Sequence, residues 1–523
     1  MALLFVLVFL AFALPLLWVK YLSAWQAKKR YNVERTRRSC QDPPQLSNRD
    51  PFGLLRLIEA LKAGREERMP QYVASLIDQP GPGVHTVQAK LLSDKMTVTR
   101  DPQNVEAIFT TQAQDFDIGP ARLECFRPLL GLGLTTVTGE AWKHSRALLR
   151  PQFSREQISD LDLEERHIQD LMKVLDVRDN GWTEKVDLQP LFSNLTHDTV
   201  TELLYGQSIG SQKHARRPSA PYESLSKQSD EASEFGHHLE SGKSWLYERM
   251  VLGRLGWLFS STKFYNHCKE VHKYVDNFVY ARIQQGEADK TEITSKGKFV
   301  LLNELAKHTH NSVQLRNETL HVLSASWDTT SALLGWLFYF LARNPRVFDK
   351  LRNIILTDFI SGIDFRQLNN CRYLQHCINE TFRVAAIIPV IERVCTRDTT
   401  LPQGGGPNGR SSIFLPKNSR VLISTYGMQH RADIWGSDAA DFRPERWEEE
   451  KNGGGWDFVP FAGGPRKCIG QQFALTEASY TVVRLLQRFD GIENMEPPGP
   501  IKFHHALTNS SGTGVQVRLH EAK

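Results

Sequence analysis

The chain has 523 residues, 24% charged, 41% hydrophobic and 10% aromatic, a globular composition with an ample core. That excludes collagen, mucin, coiled-coil and wholly disordered chains. Lys and Arg outnumber Asp and Glu by 64 to 59, a net charge of +5. This is too mild to argue for nucleic acid and suits a membrane surface or an acidic protein partner. Residues 1–19 carry no charged side chain. As a helix they span about 28 Å at about 1.5 Å per residue, close to the thickness of an endoplasmic-reticulum bilayer. Trp18 and Tyr21 stand where interfacial aromatics would, and the flank is basic: Lys20, Lys28, Lys29, Arg30, Arg35, Arg37 and Arg38. A positive flank after a single span places the C-terminal body in the cytoplasm. A cleaved signal peptide is the competing reading; it fits less well because no basic residue precedes the apolar run. The chain thus divides into an anchor (1–19), a basic, Pro-containing linker (20–50) and one body (51–523).

Residues 40–51 read as a Pro/polar hinge, 206–233 as a mobile connection between helices and 284–298 as a charged surface loop. Helical patterns cover 156–177, 188–205, 264–285, 312–343, 374–385 and 470–488. Strand signals are few: Arg393–Thr396 and Ser412–Leu415 flank a Gly-rich turn over 401–412. The body is mainly α with a small β part. The seven Cys are odd in number and form no C-x-x-C, so neither a disulfide framework nor a zinc knuckle is expected.

Within the 312–343 helix stand Ser324-Ala325-Ser326-Trp327-Asp328-Thr329-Thr330, just before the apolar run 332–342. Ten or so apolar residues are too few for a membrane span, so this is a buried core helix. Its acid and hydroxyls need partners. The hydroxyls bond back to the preceding turn, or the segment forms a kinked, water-filled groove that handles protons.

Residues 459–475 read VPFAGGPRKCIGQQFAL. One Cys lies in a Gly-rich loop that opens a helix. Gly463, Gly464 and Gly470 let backbone approach a large planar ligand, and Arg466 and Lys467 beside a helix N-terminus favour a thiolate of lowered pKa. The spacing F-x-x-G-x-R-x-C-x-G falls on Phe461, Gly464, Arg466, Cys468 and Gly470. It resembles the haem-ligand loop of a cytochrome P-450. Glu380-Thr381-Phe382-Arg383 is similar to that family's E-x-x-R, and Pro444-Glu445-Arg446-Trp447 to its P-E-R-F, with Trp for Phe. Ala325–Thr330 is similar to A-G-x-D-T-T of its oxygen-activating helix, with Ser326 for Gly and bulky Trp327 next. Trp142-x-x-x-Arg146 is similar to the pair that reaches a haem propionate.

The resemblance implies the cytochrome P-450 fold behind an N-terminal transmembrane anchor helix, with haem b as cofactor and Cys468 as axial ligand of its iron. It implies that Trp142, Arg146 and Arg466 pair the propionates, that Glu380, Arg383 and Arg446 form a buried structural triad, and that Asp328 and Thr329 guide protons. Phe461 and Gly470 complete the loop. The implied reaction inserts one oxygen atom from O2 into a C–H bond, with electrons from NADPH through an NADPH–cytochrome P-450 reductase. The stretches 139–157, GGGPNG and 463–480 look like the fungal branch that hydroxylates alkanes and fatty acids. A long aliphatic or polyketide-like substrate of secondary metabolism and general fatty-acid ω-hydroxylation both follow from that likeness. Ala325, Ile387 and Ile388 are expected to line the chamber, and Trp327 to narrow it. Membrane lipid, the reductase and a small hydrophobic substrate are the expected partners; nucleic acid is not. The expected location is the endoplasmic-reticulum membrane, single-pass, body facing the cytoplasm. A reductase-independent haem-thiolate isomerase or dehydratase and a non-catalytic haem-binding membrane protein are the rivals; the Asp328–Thr329 pair argues against both.

Overall fold

The computed structural model describes residues 2–47, 50, 53–91, 94–215, 227–288, 299–449 and 455–523. Helix α1 runs Ala2–Arg37, so the basic stretch after the apolar segment is helical to Arg37. Trp18, Tyr21 and Trp25 on it are exposed. Among the described residues no helix is long and apolar enough to cross a membrane.

The remaining elements fall into two compact units. The smaller holds Met1–Leu57, Ser75–Asp117 and Glu392–Ile423. Its sheet pairs β1 (Thr86–Leu91) with β2 (Asp94–Thr99) as an antiparallel hairpin. The full order is β1, β2, β7 (Arg420–Ser424), β4 (Val390–Cys395) and β3 (Phe116–Asp117), with β2 and β7 parallel. A separate hairpin joins β5 (Thr399–Gly405) to β6 (Ser411–Leu415). The Gly-rich turn is therefore shorter than its composition suggests. Thr399–Gly405 is strand, and Gly404, Gly406 and Gly409 take the positive φ values the bulge and tip need. The stretch Arg393–Thr396 does not flank that turn; it belongs to β4 and the five-stranded sheet.

The larger unit is helical: α2 (Pro120–Leu130), α3 (Gly139–Leu149), α4 (Asp162–Val174), α5 (Leu188–Tyr205), α6 (Lys227–Leu252), α7 (Thr262–Ala288), α8 (Ser312–Leu341), α9 (Arg372–Ala385) and α10 (Gln471–Arg488). Much of the 206–233 connection thus splits differently: Ser211–Ala215 and the start of α6 are helical, and 216–226 lie outside the described residues, as do 289–298 of the charged loop. Helix α8 starts where the Asn311 side chain accepts the Gln314 amide. It is α-helical throughout 324–330. Its first half packs with α2, α5, α6 and α7 in one apolar cluster, and its second half with α4, α9 and α10 in another. The polar stretch 324–330 lies at the seam between the two cores.

All seven cysteines are free; six are buried and Cys468 is exposed. At the end of α9 Ala386 takes φ +46, a left-handed turn held by Asn509, whose Nδ2 donates to the Ala385 carbonyl at 2.6 Å and whose amide donates to that of Ile387. Past the turn Ile387 is buried in the core cluster and Ile388 is half-buried.

Two buried acids stand apart from the ion pairs. Glu164 on α4 and Glu477 on α10 are each pushed up to about 8, first by burial and, for Glu477, also by the Glu164 charge. An unfolded glutamate titrates near 4.3. Between these values the unfolded chain releases a proton that the folded chain keeps, so stability falls as pH rises from about 4 to 8. Glu477→Gln cannot ionise. Its thermal midpoint is expected to exceed that of the parent at pH 8, with the advantage shrinking toward pH 5.

Candidate active site

The strongest constellation is built on one carboxylate. Glu380 and Arg383 lie one turn apart on α9, and Arg446 arrives from the short helix Pro444–Glu448. All three are fully buried. Arg383 is bidentate, with Nε to Oε2 at 2.9 Å and Nη2 to Oε1 at 2.8 Å. Arg446 Nε donates to Oε1 at 2.8 Å. The Arg443 amide adds 2.9 Å to Oε1, and Trp447 Nε1 adds 3.0 Å to Oε2. Trp in place of the commoner Phe therefore supplies a donor that Phe cannot. The remaining guanidinium protons go to carbonyls of Gln429, Ala439 and Asp441 from Arg383, and of Trp435 and Asp438 from Arg446.

From here an aromatic chain leads to the Cys loop. Trp447 packs on Phe458 with centroids 4.7 Å apart, and Phe461 meets Phe382 edge-on at 5.0 Å. The Phe461 carbonyl accepts the Cys468 amide at 3.1 Å. Ala462 and Gly464 take positive φ, bending the loop back on itself. Cys468 opens, with Arg146, Arg150, Pro151, Phe153, Ser154 and Ile469, on a cavity of about 480 Å3. Burial by the surrounding loop pushes its thiol up, against the Gly470 amide and the charges of Arg146 and Lys467. The lowered pKa expected from the basic flank is thus not realised: the sulfur is reachable, but an anion there loses more hydration than those charges return.

Trp142 lies between two arginines on the same side. The Arg466 guanidinium sits 4.5 Å and that of Arg146 5.7 Å from its ring centre. Arg146 Nη1 donates to the Lys467 carbonyl at 3.0 Å and Arg466 Nη2 to that of Val137 at 2.9 Å. One cluster therefore holds Trp142, Arg146, Arg466 and Cys468.

On α8 the Thr329 hydroxyl bonds back to the Ala325 carbonyl at 2.8 Å. Ala325 is exposed and Thr329 half-buried, between two buried stretches of the helix. Thr330 is buried and faces Glu477 instead. Asp328 is not free. Lys243 of α6, itself buried, reaches it at 2.6 Å and reaches the exposed Glu240 at 3.0 Å. Burial alone would lower the Lys243 ammonium, but the two carboxylates hold it above the usual lysine range; burial lifts Asp328 in spite of Lys243. Lys243 also lies 3.8 Å over the Trp327 ring, which stacks on His197 at 3.7 Å and donates Nε1 to Ser193 at 2.7 Å. Trp327 is thereby pinned against α5 and α6 and buried, and does not narrow a chamber. Neither Lys243 nor His197 belongs to a sequence motif; the Glu240-x-x-Lys243 spacing was the only trace.

The cytochrome P450 family matches residues 49–516. The chain belongs to the cytochrome P450 family. It is 41% identical over 500 residues to the cytochrome P450 monooxygenase g430 of a Fusarium species, covering 94% of this chain and 86% of that one. It is 36% identical over 501 residues to the cytochrome P450 monooxygenase alt2 of Alternaria solani, covering 92% of each. To cytochrome P450 52A13 of Debaryomyces hansenii it is 38% identical over 490 residues, again covering 92% of each. The protein is a haem-thiolate monooxygenase, an oxidoreductase that uses haem iron and electrons from NADPH through a redox partner. The P450 residues present fit the group. A single accessible thiol faces a cavity, two arginines and an indole N–H stand ready for carboxylates, and a Cβ on Gly470 would meet only Phe153 at 3.8 Å. The glycine there serves no need of the backbone, which leaves close approach of a planar ligand as its reason.

Truncating one member of the Glu380 group strands a buried charge, at about 3–5 kcal/mol. Glu380→Ala or Arg383→Ala is expected to yield mostly haem-free protein on purification. Trp447→Phe removes one donor and is expected to cost about 1 kcal/mol in denaturant unfolding while haem content stays near that of the parent.

Proposed function

We propose that this P450 hydroxylates a C–H bond of a long aliphatic or polyketide-like substrate, as a dedicated step in secondary metabolism. What supports this reading is the 41% identity to the cytochrome P450 monooxygenase g430 of a Fusarium species, together with Ser326 where the fungal alkane- and fatty-acid-hydroxylating branch has Gly. General fatty-acid ω-hydroxylation is the second reading, favoured by the 38% identity to cytochrome P450 52A13. Residues 1–19 would hold the body at the endoplasmic-reticulum membrane facing the cytoplasm, where NADPH–cytochrome P450 reductase is the electron donor.

Haem, when bound, supplies the oxygen activation and the electron sink. Cys468 is the residue to take its iron, and Trp142, Arg146 and Arg466 are those to take its propionates. The Thr329 hydroxyl, beside exposed Ala325, would hold a proton donor at the reaction space. Asp328 recharges it, and its raised pKa suits a group that accepts and yields protons. Lys243 bridges Asp328 to the exposed carboxylate of Glu240 and holds both in place.

Thr329→Ala is expected to bind haem and substrate normally yet lose product while NADPH consumption continues, its electrons going to peroxide; Thr330→Ala is expected to be mild. In binding titrations, long-chain aliphatic or polyketide-like compounds are expected to shift the haem spectrum. Response only to compact rigid aromatics would refute the substrate class. Deleting residues 1–19 is expected to loosen membrane association in flotation assays with haem content intact.

A further inference from the structure

Gln314, Asn317, Glu318 and His321 follow the i, i+3, i+4, i+7 spacing of one helix face. On α8 that face is a polar stripe set into the core: Asn317, Glu318 and His321 are all buried. Each finds a partner in the segment 131–138 or on α3. The Asn317 amide lies so close to Gly131 that a Cβ there would fall 2.2 Å from it. Turned to suit its neighbours, it takes the Leu132 amide and gives to the Val313 carbonyl, each at 3.1 Å. The His321 Nδ1 meets the Thr135 hydroxyl at 2.6 Å, and burial lowers the ring to about 3. A neutral imidazole donates once and accepts once, which suits a site between that hydroxyl and the Gly131 backbone. Glu318 uses both oxygens: Oε1 accepts the Ser145 hydroxyl at 2.5 Å and Oε2 the Leu134 amide at 3.3 Å.

These contacts reach the cluster around Cys468 by two arms. Ser145 lies on α3, next to Arg146 and three residues from Trp142, so holding Ser145 fixes the roll of both. Segment 131–138 carries Val137, whose carbonyl takes Arg466 at 2.9 Å. One carboxylate thus touches the support of all three cofactor-facing side chains. We propose that Glu318 is the positioning residue of the propionate cradle, holding α3 and the 131–138 segment in register for Trp142, Arg146 and Arg466. The proposal rests on the cradle assignment above.

Haem transfer from the purified holoprotein to excess apomyoglobin reads the cradle without turnover. Glu318→Ala is expected to speed transfer about tenfold, the scale for losing an orienting partner of a cofactor ligand. Glu318→Gln, which keeps one acceptor, is expected to fall between it and the parent. Ser145→Ala is expected to act in the same direction. Added to Glu318→Ala it should bring no further gain, because the two share one bond. Glu164→Gln, an equally buried acid on α4, is expected to leave the rate unchanged. An equal acceleration in Glu164→Gln would mean general loosening and overturn the proposal. Arg146→Ala separates the two readings. If it speeds transfer while Glu318→Ala and Ser145→Ala do not, the positioning role falls alone. If it too leaves the rate unchanged, the cradle is misassigned and both fall. Should Glu318→Ala not fold, Ser145→Ala decides: a parental rate in that variant overturns the proposal.

Discussion

The structure depends on a carboxylate that receives five donors with no access to water. Glu380 sits between two arginines, an indole and a backbone amide, and all of its lone pairs are used. Such an arrangement is seldom the cheapest way to fill a core, since well-packed apolar residues are often as stable. What it adds is direction. Two donors come from Arg383 on α9 itself and three from residues 443–447, and each bond tolerates little displacement, so α9 and the 435–447 segment meet in one relative pose. The aromatic steps from Trp447 through Phe458 carry that pose to the loop that presents Cys468.

Helix α8 plays the complementary part. It is shared by both apolar cores, so its polar stretch lies where the two packings meet and neither fills the space completely. This is why Ala325 is open in mid-helix while residues a turn or two away are sealed. The backbone stays α-helical through that opening. Thr329 satisfies itself on its own helix, and Asp328 is satisfied from outside by Lys243.

The site was largely legible in the sequence because its chemistry is carried by short fixed spacings. The Cys loop, the E-x-x-R pair with Arg446 and the Trp142–Arg146 pair converge as their motifs suggested. Long periodic helices were equally readable: α5 over Leu188–Tyr205 and α10 over Gln471–Arg488 lie almost where the pattern put them. The failures have physical causes. The β1–β2 hairpin is short and mixes Lys, Gln and Thr with its apolar residues, so its alternation was faint. Residues 401–405 read as turn because Pro402, Gly404 and Gly405 stand in a strand that carries a bulge. Trp327 was misread because its partners, Lys243 and His197, are distant in sequence, and nothing local says which way a large side chain on a buried helix points. The clamp on segment 131–138 was hidden for the same reason: a polar stripe reads as solvent-facing until its partner is known.

The Lys243–Asp328 contact also constrains how this chain can diverge. Eighty-five positions separate the two residues, and Lys243 is the cation that lets Asp328 be charged in the interior at modest cost. A lineage that lost Lys243 would leave an acid stranded beside the reaction space, and one that lost Asp328 would leave a buried ammonium over an indole with only the exposed Glu240 to balance it. Trp327 and His197 are tied into the same bargain through the stack. The four sites are therefore expected to drift as a set, with neutral passage only through variants that remove charge from both ends together. Related enzymes that carry a smaller residue at 327 should then also differ at 243 and 197.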